Sequence, residues 1–211
     1  NDEKFYSEPK FVYHLDLNFR NYLSNVYKNE ISDYATVLDL MSSWDSYLPE
    51  DKKYKKVIGH GLNKQELEKN KIFDTYWIQN FNLNQEIPLE NESVDYCLMV
   101  AAWQYLQYPE NLTREIVRIL SSKGKFIIAF SNRAFWHKAP NIWTTSTEEE
   151  RVKYVRKVLI TNGFNEPKII KKFNQKDLNI FNFLSKDPFY CLIATKRLNN
   201  SKIKLANKSK N

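Results

Sequence analysis

Ser131-Asn132-Arg133, with Trp136, His137 and Lys138 close behind, gathers polar, aromatic and cationic side chains just past an apolar run at 125–130. Such a set can hold an acidic or a planar molecule, because Arg and Lys pair with anions and Trp offers a flat face. A capped helix start with an exposed Arg and Lys would read the same way. His14 and Asp16 make a second polar spot near the start of the chain. A histidine can take a proton near neutral pH, and it can equally be structural. A third spot is Asp39-Leu40-Met41-Ser42-Ser43-Trp44, where an acid at the end of an apolar run meets two hydroxyls. His14, His60 and His137 are scattered without ligand spacing, so no metal site is expected. The chain has no Gly-rich loop ending in Lys-Ser/Thr and no Gly-x-Ser-x-Gly turn.

These residues need elements to position them. Residues 37–41, 56–60, 75–79, 94–100 and 125–130 read as strands, and the fourth, Val-Asp-Tyr-Cys-Leu-Met-Val, is almost continuously apolar. Strands covered by helices on both faces lose the two-residue alternation in this way. Residues 11–34 carry Phe19, Leu23, Val26 and Tyr27 near helical spacing and predict a leading amphipathic helix that could lid a pocket. Asn63 with Glu66, and Thr147 with Glu150, predict capping boxes. Residues 110–120 form another helix with one apolar face, Lys123-Gly124 a turn, and Gly163 a helix stop. Two closing strands, 167–173 and 189–196, are joined by a long segment without a crossover-helix pattern, so one of them should be antiparallel. Alternating strands and helices imply an α/β fold, a doubly wound, mainly parallel sheet with helices on both faces.

The 211 residues suit one domain, here 1–197, followed by a flexible basic tail at 198–211. The net charge of +7 admits an acidic partner, but much of the excess falls in 196–210, which argues against nucleic acid. No apolar run is long enough to span a bilayer, so no membrane partner is expected. Cys97 and Cys191 sit in apolar runs as core residues, and a reduced, cytoplasmic setting is the default. Oligomeric state is not legible.

Four phrases, in order, carry a family resemblance across roughly residues 10–197. They are Val37-Leu38-Asp39-Leu40, then Val57-Ile58-Gly59-His60-Gly61-Leu62-Asn63, then Ile87-Pro88-Leu89 leading to Ser93-Val94-Asp95, and last Arg114-Glu115-Ile116 through Gly124-Lys125. The chain resembles the class I S-adenosylmethionine-dependent methyltransferases of the methyltransferase type 11 kind. Leu40 to Trp44, Gly61-Leu62-Asn63 and Phe130 to Arg133 with Lys138-Ala139 are similar to a divergent branch of that family.

The resemblance implies a Rossmann-like sheet of seven strands in the order 3-2-1-4-5-7-6, with the last strand antiparallel. It also implies S-adenosylmethionine as cofactor and a small-molecule acceptor. Asp39, Met41, Ser42, Ser43, Gly61, Asn63, Asn80, Val100 and Ala101 then fall at the cofactor positions. His14, Tyr105, Asn132, Arg133, Trp136 and Lys138 fall on the substrate side. Met41 to Asp45 replace the family's Gly-x-Gly-x-Gly, and Gly61 replaces its ribose-binding acid. A methyltransferase-fold binding or regulatory protein without catalysis is therefore the second reading. In the family's strand order the fifth strand separates Cys97 from Cys191 by about 9.5 Å, beyond the roughly 7 Å reach of a disulfide, so free thiols are expected.

Overall fold

The computed structural model describes residues 2–172 and 187–198. Most of the segment joining the two closing strands and the tail from 199 lie outside the described residues. Seven strands form one sheet: β1 (Ala35–Leu40), β2 (Tyr54–Gly61), β3 (Thr75–Ile78), β4 (Val94–Val100), β5 (Leu120–Phe130), β6 (Lys168–Lys172) and β7 (Phe189–Thr195). Their order is β3-β2-β1-β4-β5-β7-β6. The pairings from β3 through β5 are parallel, and β7 runs antiparallel to both β5 and β6. The order and the antiparallel strand match the expectation.

Side chains alternate across the sheet, which splits the core in two. Leu38, Leu40, Cys97, Met99, Phe126 and Ile128 pack in one cluster, which takes in Leu112 and Ile116 from helix α4 (Pro109–Ile119) and Val155 and Leu159 from α6 (Glu148–Thr161). Val37, Tyr96, Leu98, Ile127 and Ala129 join the other, against Phe19, Leu23 and Tyr27 of α2 (Leu17–Glu30). Every residue of β1 is buried, so its run of Ala, Thr, Val, Leu, Asp and Leu has no solvent face to alternate towards.

Local signals set the ends of the elements. Thr147 and Glu150 make both halves of the capping box at the start of α6. Gly163, at φ +106°, ends the helix in the left-handed region. Strand ends shift by up to five residues from expectation, and two differences bear on the site or the sheet. The leading helix starts at Leu17 because the Asp16 carboxylate accepts from the Phe19 N–H at 2.7 Å. That helix is part of the core, and the segment facing the site is the stretch before it, residues 2–16. The turn expected at Lys123-Gly124 lies within β5, as an irregularity where Leu120 pairs with Val94 and Lys125 with Tyr96. Cys97 and Cys191 are buried free thiols, with β5 between their strands. No helix among the described residues is long and apolar enough to cross a membrane.

Candidate active site

A cavity of about 700 Å³ opens at the carboxyl ends of β1, β2 and β4, where parallel sheets of this kind bind ligands. Its floor holds Asp39 from β1, His60 and Gly61 from β2 and Val100 from β4. Asp2, Tyr6, Lys10, Tyr13, His14 and Leu15 form a strap along one wall.

The turn after β1 works without glycine. Met41 has φ +53°, a left-handed conformation that costs a side-chain-bearing residue roughly 1–3 kcal/mol. His60 braces it. The Met41 N–H donates to His60 Nδ1 at 3.0 Å, and the Ser42 N–H donates to the His60 carbonyl at 2.7 Å. Because Nδ1 accepts, the ring proton sits on Nε2 and goes to the Gln79 carbonyl at 2.9 Å. Burial lowers the His60 pKa to about 3, against the opposing pull of the Gln79 carbonyl, so the ring stays neutral.

The two serines that follow fasten the loop. Ser42 Oγ donates to Asp39 Oδ2 at 2.6 Å, and Ser43 Oγ donates to Glu66 Oε2 at 2.6 Å. Burial raises the Asp39 pKa to about 7, although the Ser42 and Ser46 hydroxyls pull it down. A Cβ on Gly61 would stand 2.6 Å from the Ser42 carbonyl oxygen. The loop thus occupies the space where a larger residue at 61 would begin. The serine loop and Gly61 are a matched pair.

All nine residues expected at cofactor positions line this cavity. Two of them already make side-chain hydrogen bonds within the protein, Asn63 through both ends of its amide and Asn80 through its oxygen. Asn63 caps helix α3 (Lys64–Lys69) through its oxygen, 3.1 Å from the Glu66 N–H, and its amide nitrogen donates to the Tyr6 and Ser7 carbonyls. Asn80 Oδ1 already accepts from the Asn82 N–H. The capping box expected at Asn63 is only half made. Glu66 turns instead to the loop and the strap, accepting from Ser43 Oγ and from the Lys10 N–H at 2.6 Å. Asn63→Ala should therefore cost about 1 kcal/mol through the lost cap. It should also speed protease cleavage within the strap, which limited proteolysis would read.

Of the expected substrate residues, His14, Tyr105, Asn132, Arg133 and Trp136 line the cavity. Lys138 does not. Its ammonium pairs with Asp2 at 2.5 Å, a contact between segments far apart in the chain. Arg133 sits at the rim and pairs with Asp187, whose side chain is buried. Asp187 and Asp16 also exchange backbone-to-carboxylate hydrogen bonds at 2.8 and 2.7 Å, tying the strap to the lead-in of β7. Trp44 faces the strap, its ring 4.7 Å from that of Tyr13 and its indole N–H directed at the Val12 carbonyl. Neither Trp44 nor Met41 closes the cavity.

Several lining residues escaped the sequence reading: Tyr6, Lys10, Ser46, Gln104 and Phe135. Only Ser46 carried a signal, by lying just past the first-strand loop that ends at Asp45. Asp39, Asp45 and Glu66 bring three carboxylates to the cavity with no cationic partner among the described residues. Among those residues no cluster of His, Cys, Asp and Glu could hold a metal ion.

Comparison with known proteins agrees with this architecture. A family model described as Methyltransferase domain matches residues 46–128. No curated protein matches. A solved S-adenosylmethionine-dependent methyltransferase from Thermotoga maritima aligns at 20% identity and a TM-score of 0.60, covering 85% of this chain and 90% of its own. A chain from the complex of the Haloferax volcanii Trm112 activator with a methyltransferase aligns at 16% and 0.60, covering 84% and 89%. Geranyl diphosphate C-methyltransferase from Streptomyces coelicolor, solved with S-adenosyl-L-homocysteine, aligns at 10% and 0.57, covering 85% and 81%. At these identities the structural likeness speaks for the fold. S-adenosylmethionine fits the site: its sulfonium and ammonium charges would meet a hollow with three carboxylates that have no cationic partner among the described residues. By its strand order and its matched domain, the chain carries the class I S-adenosylmethionine-dependent methyltransferase fold.

Proposed function

We propose that this chain transfers a methyl group from S-adenosylmethionine to a small-molecule acceptor. The observation that carries the reading is the open hollow above β1 and β4, walled by Asp39, Asp45 and Glu66 without cationic partners among the described residues. Three such carboxylates suit a cationic ligand, in a chain of net charge +7.

When bound, the cofactor supplies an electrophilic methyl group and a neutral thioether leaving group. The protein's work is to bind, orient and exclude water. In this reading Asp39, held by the Ser42 and Ser46 hydroxyls, and Asp45 face the cationic end of the cofactor. The backbone of Met41 to Ser43 shapes the near wall, and Val100 and Ala101 leave room on the far side. Gln79 and Asn80 stand at the adenine end by their place after β3. The strap, fastened at Glu66, Asn63 and Asp187, keeps water from the reacting atoms.

Isothermal titration of the full chain with S-adenosylmethionine and S-adenosylhomocysteine tests the reading. Binding of both at micromolar affinity is expected. No heat and no thermal shift at millimolar ligand would leave the fold without its transferase function.

A further inference from the structure

The acceptor side of the cavity differs in kind from the cofactor side. Its charges are already spent: Arg133 on Asp187, and Asp2 on Lys138. The Lys10 ammonium donates to the Phe5 carbonyl at 3.1 Å and lies over the Phe5 ring at 4.7 Å. What remains is flat and apolar. Phe135 stacks with Tyr105, ring centres 6.0 Å apart, and meets the His14 ring edge-on at 5.7 Å. Tyr6 and Trp136 extend this wall.

Two polar groups on this side lack partners among the described residues. One is His14, whose ring makes only the contact with Phe135. The other is Gln104, 1% exposed, whose Oε1 has no hydrogen bond. The orientation of its amide follows from its neighbour. The Arg133 carbonyl can only accept, so the Gln104 NH₂ faces it, at 3.4 Å, and the oxygen faces away. A buried acceptor left unmade is costly, and an N–H or O–H on a bound molecule would satisfy it.

Resting on the transferase reading above, we propose that the acceptor is an uncharged, planar aromatic molecule with an N–H or O–H nucleophile, seated on Phe135 and Tyr105, with His14 taking its proton. The nucleophile's lone pair forms the bond to the methyl carbon as the carbon–sulfur bond breaks, and that electron pair stays on sulfur. The proton released from nitrogen or oxygen passes to the free imidazole nitrogen of His14 and on to water. Burial holds the His14 pKa below the usual histidine value, with Glu66 on α3 opposing and Lys10 on the strap assisting, so the ring is a neutral acceptor at pH 7.5. Arg133 stands on the same wall with its charge met by Asp187. The cations described on this side, Arg133 and Lys10, each already have a partner, which disfavours the acidic acceptor that the sequence admitted.

Three probes of one shape separate the alternatives: 2-naphthol, 2-naphthoate and 2-naphthylmethylammonium, titrated into the full chain at pH 7.5 without cofactor. The naphthol should bind at least about tenfold tighter than either ion, and should shift the His14 imidazole resonances. An ion binding as tightly as the naphthol would overturn the proposal. His14→Gln and His14→Asn should keep S-adenosylhomocysteine affinity within about twofold and lose the acid limb of the pH–rate profile for naphthol methylation. An unchanged profile in both variants would remove His14 as proton acceptor. Failure of S-adenosylhomocysteine to bind would sink the transferase reading instead, and the ranking of the three probes is read independently of it.

Discussion

Asp39→Asn should make the folded chain more stable at pH 8 while weakening its hold on S-adenosylmethionine. The Asp39 carboxyl is buried, and burial raises its pKa from 3.8 to about 7. The folded state therefore binds the proton more tightly than the unfolded chain does. That preference stabilises the fold fully below pH 4 and is lost as pH rises through 7. Above pH 7 the native chain carries a buried charge, at a cost of up to about 4 kcal/mol relative to pH 4. An amide of the same shape keeps the Ser42 contact without the charge. Urea denaturation of the native chain should thus show midpoints falling between pH 4 and 7, and the variant should lack that slope. Cofactor affinity should move the other way, down about 10- to 100-fold for one lost charge-assisted contact. A variant that is both less stable at pH 8 and unchanged in affinity would refute the assignment.

Gly61→Asp introduces the acid that the family resemblance would place at this point, and it should damage the protein. The new Cβ would stand 2.6 Å from the Ser42 carbonyl oxygen, a backbone atom that cannot swing aside. The Met41–Ser43 loop would have to shift, against the hydrogen bonds from Met41 and Ser42 to His60. A loss of about 1–3 kcal/mol is expected, with weaker S-adenosylmethionine binding. Thermal denaturation and calorimetry would check both. Tighter binding at unchanged stability would mean that the loop readily makes way.

These two positions show what could be read from the chain. β4 was legible because Val94 to Val100 is apolar but for Asp95, and α6 because Thr147, Glu150 and Gly163 are local signals with local causes. The floor of the site followed from the strand ends, since Asp39, Gly61 and Val100 sit where parallel strands stop. What escaped was decided at long range. Glu66 looked like half of a capping box, and only the folded chain shows its carboxylate spent on Ser43 and Lys10. Lys138 looked like a substrate cation until Asp2, 136 residues earlier in the sequence, claimed it. Residues 2–10 have no amphipathic pattern, so nothing local marks Tyr6 or Lys10 as wall.

The mutual grip of Asp16 and Asp187 spans nearly the whole chain, and β7, which begins two residues later, slots between β5 and β6. A polypeptide leaving the ribosome amino end first thus exposes its strap long before the anchor for it has been made. The tie between strap and β7 can form only once residue 187 has been made. A chain cut short before Asp187 would keep the anchors at Glu66 and Asn63 and lack this one, so the Asp16–Asp187 grip reports that the last strand has arrived.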